Sequence, residues 1–177
     1  LGDVYKRQLL YQFKRSGGRR GGKRQVVNMI VLVGIPGCGK STFADILCRN
    51  GNVVRLSSDE IRKELFGDES FQGDNNRVFN TLYERAELLL KANISIVIDA
   101  TNLKKSLRRY AFDICPMGVR KIALYYTPDV ELCKERNATR ERKVPDEVIE
   151  RMAKQFETPT TDEGFDEVMC LNGDEMV

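Results

Sequence analysis

The chain has 177 residues, 41% of them hydrophobic, with a formal net charge of +3, five cysteines and no histidine. That length suits one α/β domain with enough apolar side chains to build its own core, and the missing histidine removes Ser-His-Asp and Cys-His nucleophile systems, His-ligated metals and imidazole bases. Cys38, Cys48, Cys115, Cys133 and Cys170 form no C-x-x-C pair, which points away from a zinc site or a disulfide framework, and no apolar run approaches the roughly 18 residues of a membrane span.

Charge divides the chain unevenly. The first 28 residues hold eight basic and one acidic side chain, the remaining 149 hold 21 basic and 25 acidic, so the body of the chain is net negative at −4. The leading segment 1–28 ends in Gly/Arg low complexity and is expected to be disordered or non-native, with the domain spanning 29–177 and Met29 as its natural start. From there short apolar runs alternate with longer helical stretches, the pattern of βαβ units on a parallel sheet. Strands are expected over 26–33, 53–56, 94–98, 121–126 and 165–171. Helices are expected over 41–49, with Gly51 as its cap, and over 60–66, 75–91, 104–114, 129–140 and 145–156. The helix over 75–91 places Val78, Phe79, Leu82, Ala86 and Leu89 on one apolar face. The predicted architecture is an α/β three-layer sandwich on about five parallel strands, with a helical lid near 136–146. In such sheets the active residues lie beyond the carboxyl ends of the strands, so 34–41, 57–59 and 99–102 should meet in one cleft.

Gly34-Ile35-Pro36-Gly37-Cys38-Gly39-Lys40-Ser41 matches G-x-x-x-x-G-K-[ST] without a mismatch, between a predicted strand and a predicted helix. Glycines at this spacing let backbone N–H groups turn inward around phosphates, and the helix N-terminus adds positive field. The motif predicts ATP as ligand, with Lys40 on the β and γ oxygens, Ser41 on Mg2+ and Thr42 continuing the cradle. Asp59, in Ser57-Ser58-Asp59-Glu60-Ile61-Arg62, stands at the end of the second strand. It is either the general base for an attacking hydroxyl or a helix cap. Arg62, one turn on, either holds an acceptor phosphate or is a solvated charge.

The third strand ends in Asp99-Ala100-Thr101-Asn102. An acidic residue there either holds magnesium through water or opens an Asx turn. Arg136, Arg140, Arg142 and Lys143 cluster before Pro145. They are either favourable charges at a helix C-terminus or a mobile lid that neutralises a transferring phosphoryl group.

Taken together, VLVGIPGCGKSTFA, SSDEIR, IVIDATNL and CKERNATR followed by VP occur in an order and spacing that resemble the 5′-hydroxyl polynucleotide kinase group of P-loop kinases, over about 28–172. The group includes phage polynucleotide kinase and the kinase module of bacterial RNA end-healing proteins. The resemblance implies that Lys40 and Ser41 serve ATP and magnesium, Asp59 is the base on the acceptor hydroxyl, and Arg62 holds an acceptor phosphate. It further implies that Asp99, Thr101 and Asn102 line the site, with Arg136 and Arg140 as lid arginines on the nucleotide. No phosphatase D-x-D or nucleotidyl-transferase lysine motif is present, so a stand-alone kinase domain is expected, cytoplasmic, without membrane association or an obligate protein partner. The expected reaction is γ-phosphoryl transfer to the 5′-hydroxyl of RNA or DNA. The alternatives are a small metabolite, nucleoside or antibiotic hydroxyl as acceptor, or a nucleotide-dependent switch. Arg62, Arg77, Lys104, Lys105 and Arg108 are candidates for a local acceptor patch.

Overall fold

The computed structural model describes residues 26–172, together with Arg7 by itself, so the expectation for the basic leading segment lies almost wholly outside the described residues. Five strands, β1 (Asn28–Val33), β2 (Val53–Ser57), β3 (Ser95–Asp99), β4 (Arg120–Tyr125) and β5 (Glu167–Cys170), form one sheet in the order β2-β3-β1-β4-β5. Every pairing is parallel. Six helices connect and cover them: α1 (Lys40–Asn50), α2 (Ser58–Phe66), α3 (Asn75–Lys91), α4 (Lys105–Asp113), α5 (Val130–Ala138) and α6 (Asp146–Lys154). A 3₁₀ turn at Thr161–Glu163 precedes β5.

All six residues of β1 are buried, because the central strand of a parallel sheet has helices on both faces and cannot alternate with polar residues. Ile30 and Leu32 point into one apolar layer with Phe43 and Leu47 of α1, Cys133 of α5 and Ile149 of α6. Met29, Val31 and Val33 point into the other, with Ile61 of α2, Val78, Leu82, Ala86 and Leu90 of α3, and Ala111 of α4. The expected face of the helix over 75–91 is correct at three positions, whereas Phe79 and Leu89 are only half-buried and Leu90 is in the core. Four-residue steps from Val78 through Leu82 and Ala86 lead to Leu90.

The fold begins upstream of Met29. Val27 is buried and its carbonyl accepts from the Arg120 backbone, while the Asn28 N–H donates to Ser95 Oγ at 3.0 Å. The helix expected over 129–140 stops at Ala138. There the buried Asn137 amide donates to the Val144 carbonyl at 2.7 Å and accepts from the Val144 N–H at 3.0 Å. This clamp closes 139–145 into an irregular loop between α5 and α6, within the segment expected to form a lid.

Candidate active site

The first turn of α1 carries no acidic residue and no side-chain cap. By contrast, Ser57, Asp74 and Asp129 cap α2, α3 and α5 through their own side chains. The N–H groups of α1 are therefore left for an external acceptor, and a helix N-terminus of this kind suits phosphate. Gly37 and Gly39 adopt φ of 84° and 105°, the left-handed region that turns their N–H groups into the loop. A Cβ on Gly37 would lie 2.4 Å from the Cys133 carbonyl oxygen of α5. Gly37→Ala is expected to abolish ATP binding and to destabilise the fold by at least about 1–2 kcal/mol from the left-handed backbone alone. Calorimetric ATP titration and a melting curve check this.

Lys40 is buried and donates from Nζ to the Ile35 carbonyl at 2.9 Å. Its ammonium is thus held inside the loop whose centre the phosphates would fill. Pro36 to Thr42 line a single large cleft of about 1380 Å³, which also takes in Asp59, Arg62, Asp99, Thr101, Arg136, Arg140, Arg142 and Lys143. The predicted site residues are therefore brought together, with three exceptions. Gly34 and Ile35 shape the loop from beneath: the Gly34 N–H donates to the Thr101 carbonyl at 3.0 Å, and Ile35 is fully buried. Asn102, expected to touch substrate, is a structural residue. Its φ is 47° and its buried amide donates to the Leu32 carbonyl at 2.8 Å, which ties the end of β1 to the turn after β3.

Asp99 ends β3, buried, and accepts from Arg55 Nε at 3.0 Å and Nη2 at 2.6 Å. Arg55 also reaches Asp45 and Glu60. The sequence reading missed this arginine, although an Arg inside the β2 run VVRLS is a signal that the strand meets an acidic partner. Among the described residues no group of three or more His, Cys, Asp or Glu side chains is arranged to hold a metal. Ser41 and Asp99 fit magnesium in the manner of a phosphate-bound ion, with one or two protein groups and the rest from phosphate and water.

On the opposite wall, Asp59 sits in the first turn of α2 with its side chain 45% exposed. Its Oδ1 accepts from Arg62 Nη1 at 2.8 Å and forms an ion pair with Arg142 Nη1 at 2.9 Å. Of Ser57, Ser58 and Asp59, the three candidates for the cap, it is Ser57 whose side chain caps the helix. Arg62 is buried, donates from Nη2 to Asn75 Oδ1 at 3.0 Å, and leaves Nε without a partner. Arg136 reaches back to the Cys38 carbonyl at 3.5 Å on the phosphate side. Arg142 was grouped with the lid arginines in the sequence, but only the fold shows that it crosses the cleft. Arg142→Ala is expected to weaken acceptor use about tenfold, equivalent to about 1.4 kcal/mol, with the KM for ATP unchanged. Steady-state kinetics with each substrate varied separately would detect it.

On the phosphate side, the other candidate bases of the cleft are protonated at neutral pH. Burial pushes the Tyr126 phenol up to about 12 and the Cys133 thiol up to about 11. Three carboxylates line the cleft: Asp99 is engaged by Arg55 and Asp129 caps α5, so Asp59 is the one left for an acceptor hydroxyl.

Fold and site together define a P-loop kinase domain: a parallel sheet whose β1–α1 turn is built for phosphates, with a loop of cations above it. The chain belongs to the AAA domain family, whose model matches residues 29–159. Over 150 residues it is 32% identical to the L-seryl-tRNA(Sec) kinase of Methanococcus maripaludis, covering 78% of this chain and 56% of that protein. It superposes on a chain of the Pnkp1/Rnl/Hen1 RNA repair complex with a TM-score of 0.67 and 27% identity, over 84% of this chain and 49% of that one. A gluconokinase from Sinorhizobium meliloti 1021 shares the fold, with a TM-score of 0.56 and 18% identity over 85% and 86% of the two chains. The chain thus spans about half the length of the seryl-tRNA kinase and of the repair-complex chain. No helix among the described residues is long and apolar enough to cross a membrane.

Proposed function

We propose that this domain transfers the γ-phosphoryl group of ATP to an alcohol, and that the acceptor is the 5′-hydroxyl end of a nucleic acid. The observation that carries the reading is the pairing, across one cleft, of an uncapped phosphate-binding turn with an arginine-held carboxylate. A nucleotide switch requires the first and has no use for the second.

The chain's own groups divide the work. Lys40 leaves the Ile35 carbonyl for the β and γ oxygens, and the α1 N–H groups complete the cradle. Magnesium, held through Ser41 and through water on Asp99, would neutralise phosphate charge. Asp59 accepts the proton of the attacking hydroxyl, while Arg62 and Arg142 fix its Oδ1 and so orient its other oxygen. The unpartnered Nε of Arg62 offers a donor to an anionic group on the acceptor. Arg140 and Arg136 stand on the lid side, where charge spreads during in-line transfer. The seryl-tRNA kinase and the RNA repair complex are both named for RNA, which supports RNA over DNA as the carrier of the alcohol.

The test is transfer of label from γ-labelled ATP, with magnesium, to a 5′-hydroxyl oligoribonucleotide, with gluconate and free nucleosides as competing acceptors. Label on the oligonucleotide 5′ end supports the reading. Label on a small alcohol alone moves the acceptor to that class, and ATP hydrolysis with no labelled acceptor removes the kinase reading.

A further inference from the structure

The cleft continues outward on the α3 and α4 side. Asn75 and Phe79 of α3 and Leu107 of α4 are part of its wall. Asn75, Phe79 and Tyr83 lie four residues apart and so form one stripe, each step carrying the stripe about 6 Å further from Arg62 and Asp59. Lys104, the N-cap of α4, and Leu107 and Tyr110 within it form a second stripe at intervals of three. The two stripes meet at their rings. Phe79 and Tyr83 stack with centroids 6.3 Å apart and planes at 29°, and Tyr83 meets Tyr110 at 6.1 Å and 32°. Leu107 is 47% exposed and Tyr110 58% exposed, so apolar and aromatic surface runs from the candidate base to the outside of the domain.

We propose that this groove is the track of a single-stranded nucleic-acid acceptor, whose bases downstream of the reacting 5′ end rest on Phe79, Leu107 and Tyr110. The proposal rests on the polynucleotide reading above and adds where the strand goes. Two observations commit the groove to this occupant. It is continuous with the cleft at the end where Asp59 and Arg62 stand, so whatever lies in it is joined to the acceptor alcohol. Its α4 bank also carries Lys104, Lys105 and Arg109 beside Tyr110, with Asp113 the one acidic residue of that helix, and cations interleaved with exposed rings suit a phosphodiester chain with unstacked bases. Arg108 contributes nothing to this charge, because it is fully buried on Glu163. On α3, Arg85 pairs with Glu64 and Lys91 with Glu87, while Arg77 and Glu84 form no ion pair among the described residues. The net negative domain thus limits its basic contact to one short bank, enough for a few nucleotides.

The experiment uses the full chain with two acceptors: a short single-stranded 5′-hydroxyl RNA carrying 4-thiouridine a few nucleotides from its end, and a nucleoside 3′-monophosphate, which lacks the downstream bases. Irradiation is expected to join the RNA to the peptides holding Tyr83 and Tyr110. Tyr110→Ala is expected to raise the KM for the RNA roughly tenfold, the scale of one lost base stack. The KM for the nucleoside monophosphate and for ATP should not change, and Tyr110→Phe should behave as wild type because the ring alone is needed. Cross-links confined to other segments, no cross-link at all, or an unchanged RNA KM in Tyr110→Ala would overturn the groove. Label on the nucleoside monophosphate with no cross-linked RNA discards the groove and keeps the kinase reading, whereas cross-linked but unlabelled RNA keeps the groove and discards the transfer.

Discussion

Asp59→Ala is expected to lower the rate of phosphoryl transfer by about 10²–10⁴-fold, the usual contribution of a positioned general base, with ATP binding at wild-type strength. The side chain stands across the cleft from the phosphate turn and makes no bond to it, so ATP affinity has no reason to change. Its two ion pairs involve a half-exposed carboxylate, and pairs of that kind contribute at most about 1 kcal/mol. Loss of activity would therefore reflect chemistry more than unfolding. Arg62 complicates the alanine variant, because it is buried and would lose one partner while keeping Asn75. Asp59→Asn keeps the shape and an acceptor oxygen for Arg62, and separates the two effects. Single-turnover transfer of labelled phosphate, read beside the melting temperature, is the measurement. Transfer at a near-normal rate in Asp59→Asn would remove this residue as the base and leave Asp99 to be tried next.

Arg108→Ala is expected to cost about 3–5 kcal/mol of stability, the range for stripping one partner from a buried ion pair. That is a large part of the 5–15 kcal/mol that ordinarily holds a domain together. Arg108 is fully buried and grips Glu163 in a two-pronged pair, Nε to Oε2 at 2.8 Å and Nη2 to Oε1 at 2.5 Å. Its Nη1 donates to the carbonyls of Asn102, Leu103 and Glu157 at 3.0, 3.1 and 3.0 Å. One guanidinium thus joins α4, the turn after β3 and the segment leading to β5. Removing it leaves a buried carboxylate and three carbonyls without their donor. Urea unfolding would show a lower midpoint with an unchanged slope. Replacing both partners, as Arg108→Met with Glu163→Leu, should cost less than Arg108→Ala alone, because no charge is then stranded. A midpoint for Arg108→Ala equal to wild type would show that the pair contributes only shape.

The same residue illustrates why some of the site was not legible in advance. In the sequence Arg108 stands in KKSLRRYAFD beside Lys104, Lys105 and Arg109, and nothing in the spacing singles it out as the one turned inward. Burial on Glu163, 55 positions later, is decided by how α4 packs between β3 and the approach to β5. Asn102 follows the same logic: a polar residue after an apolar strand looks like a site residue, yet its amide is spent on the Leu32 carbonyl of β1, 70 positions away. Arg142 errs in the other direction, reading as one more lid charge until the Asn137 clamp on Val144 bends the loop toward Asp59.

By itself the sequence determined the phosphate-binding turn from Gly34 to Ser41, the parallel α/β class and the approximate extent of every strand. Those features rest on local physics: glycines needed at positive φ, an apolar run too continuous for a one-sided strand, and the change of period between strand and helix. Only the tertiary structure decided which charges face the cleft and which are consumed in the fold, because the pairs Arg55–Asp99, Arg108–Glu163 and Asp59–Arg142 join residues 44, 55 and 83 positions apart. A side chain's ionic partner depends on strand order and helix packing, and these long-range contacts leave no periodic mark along the chain.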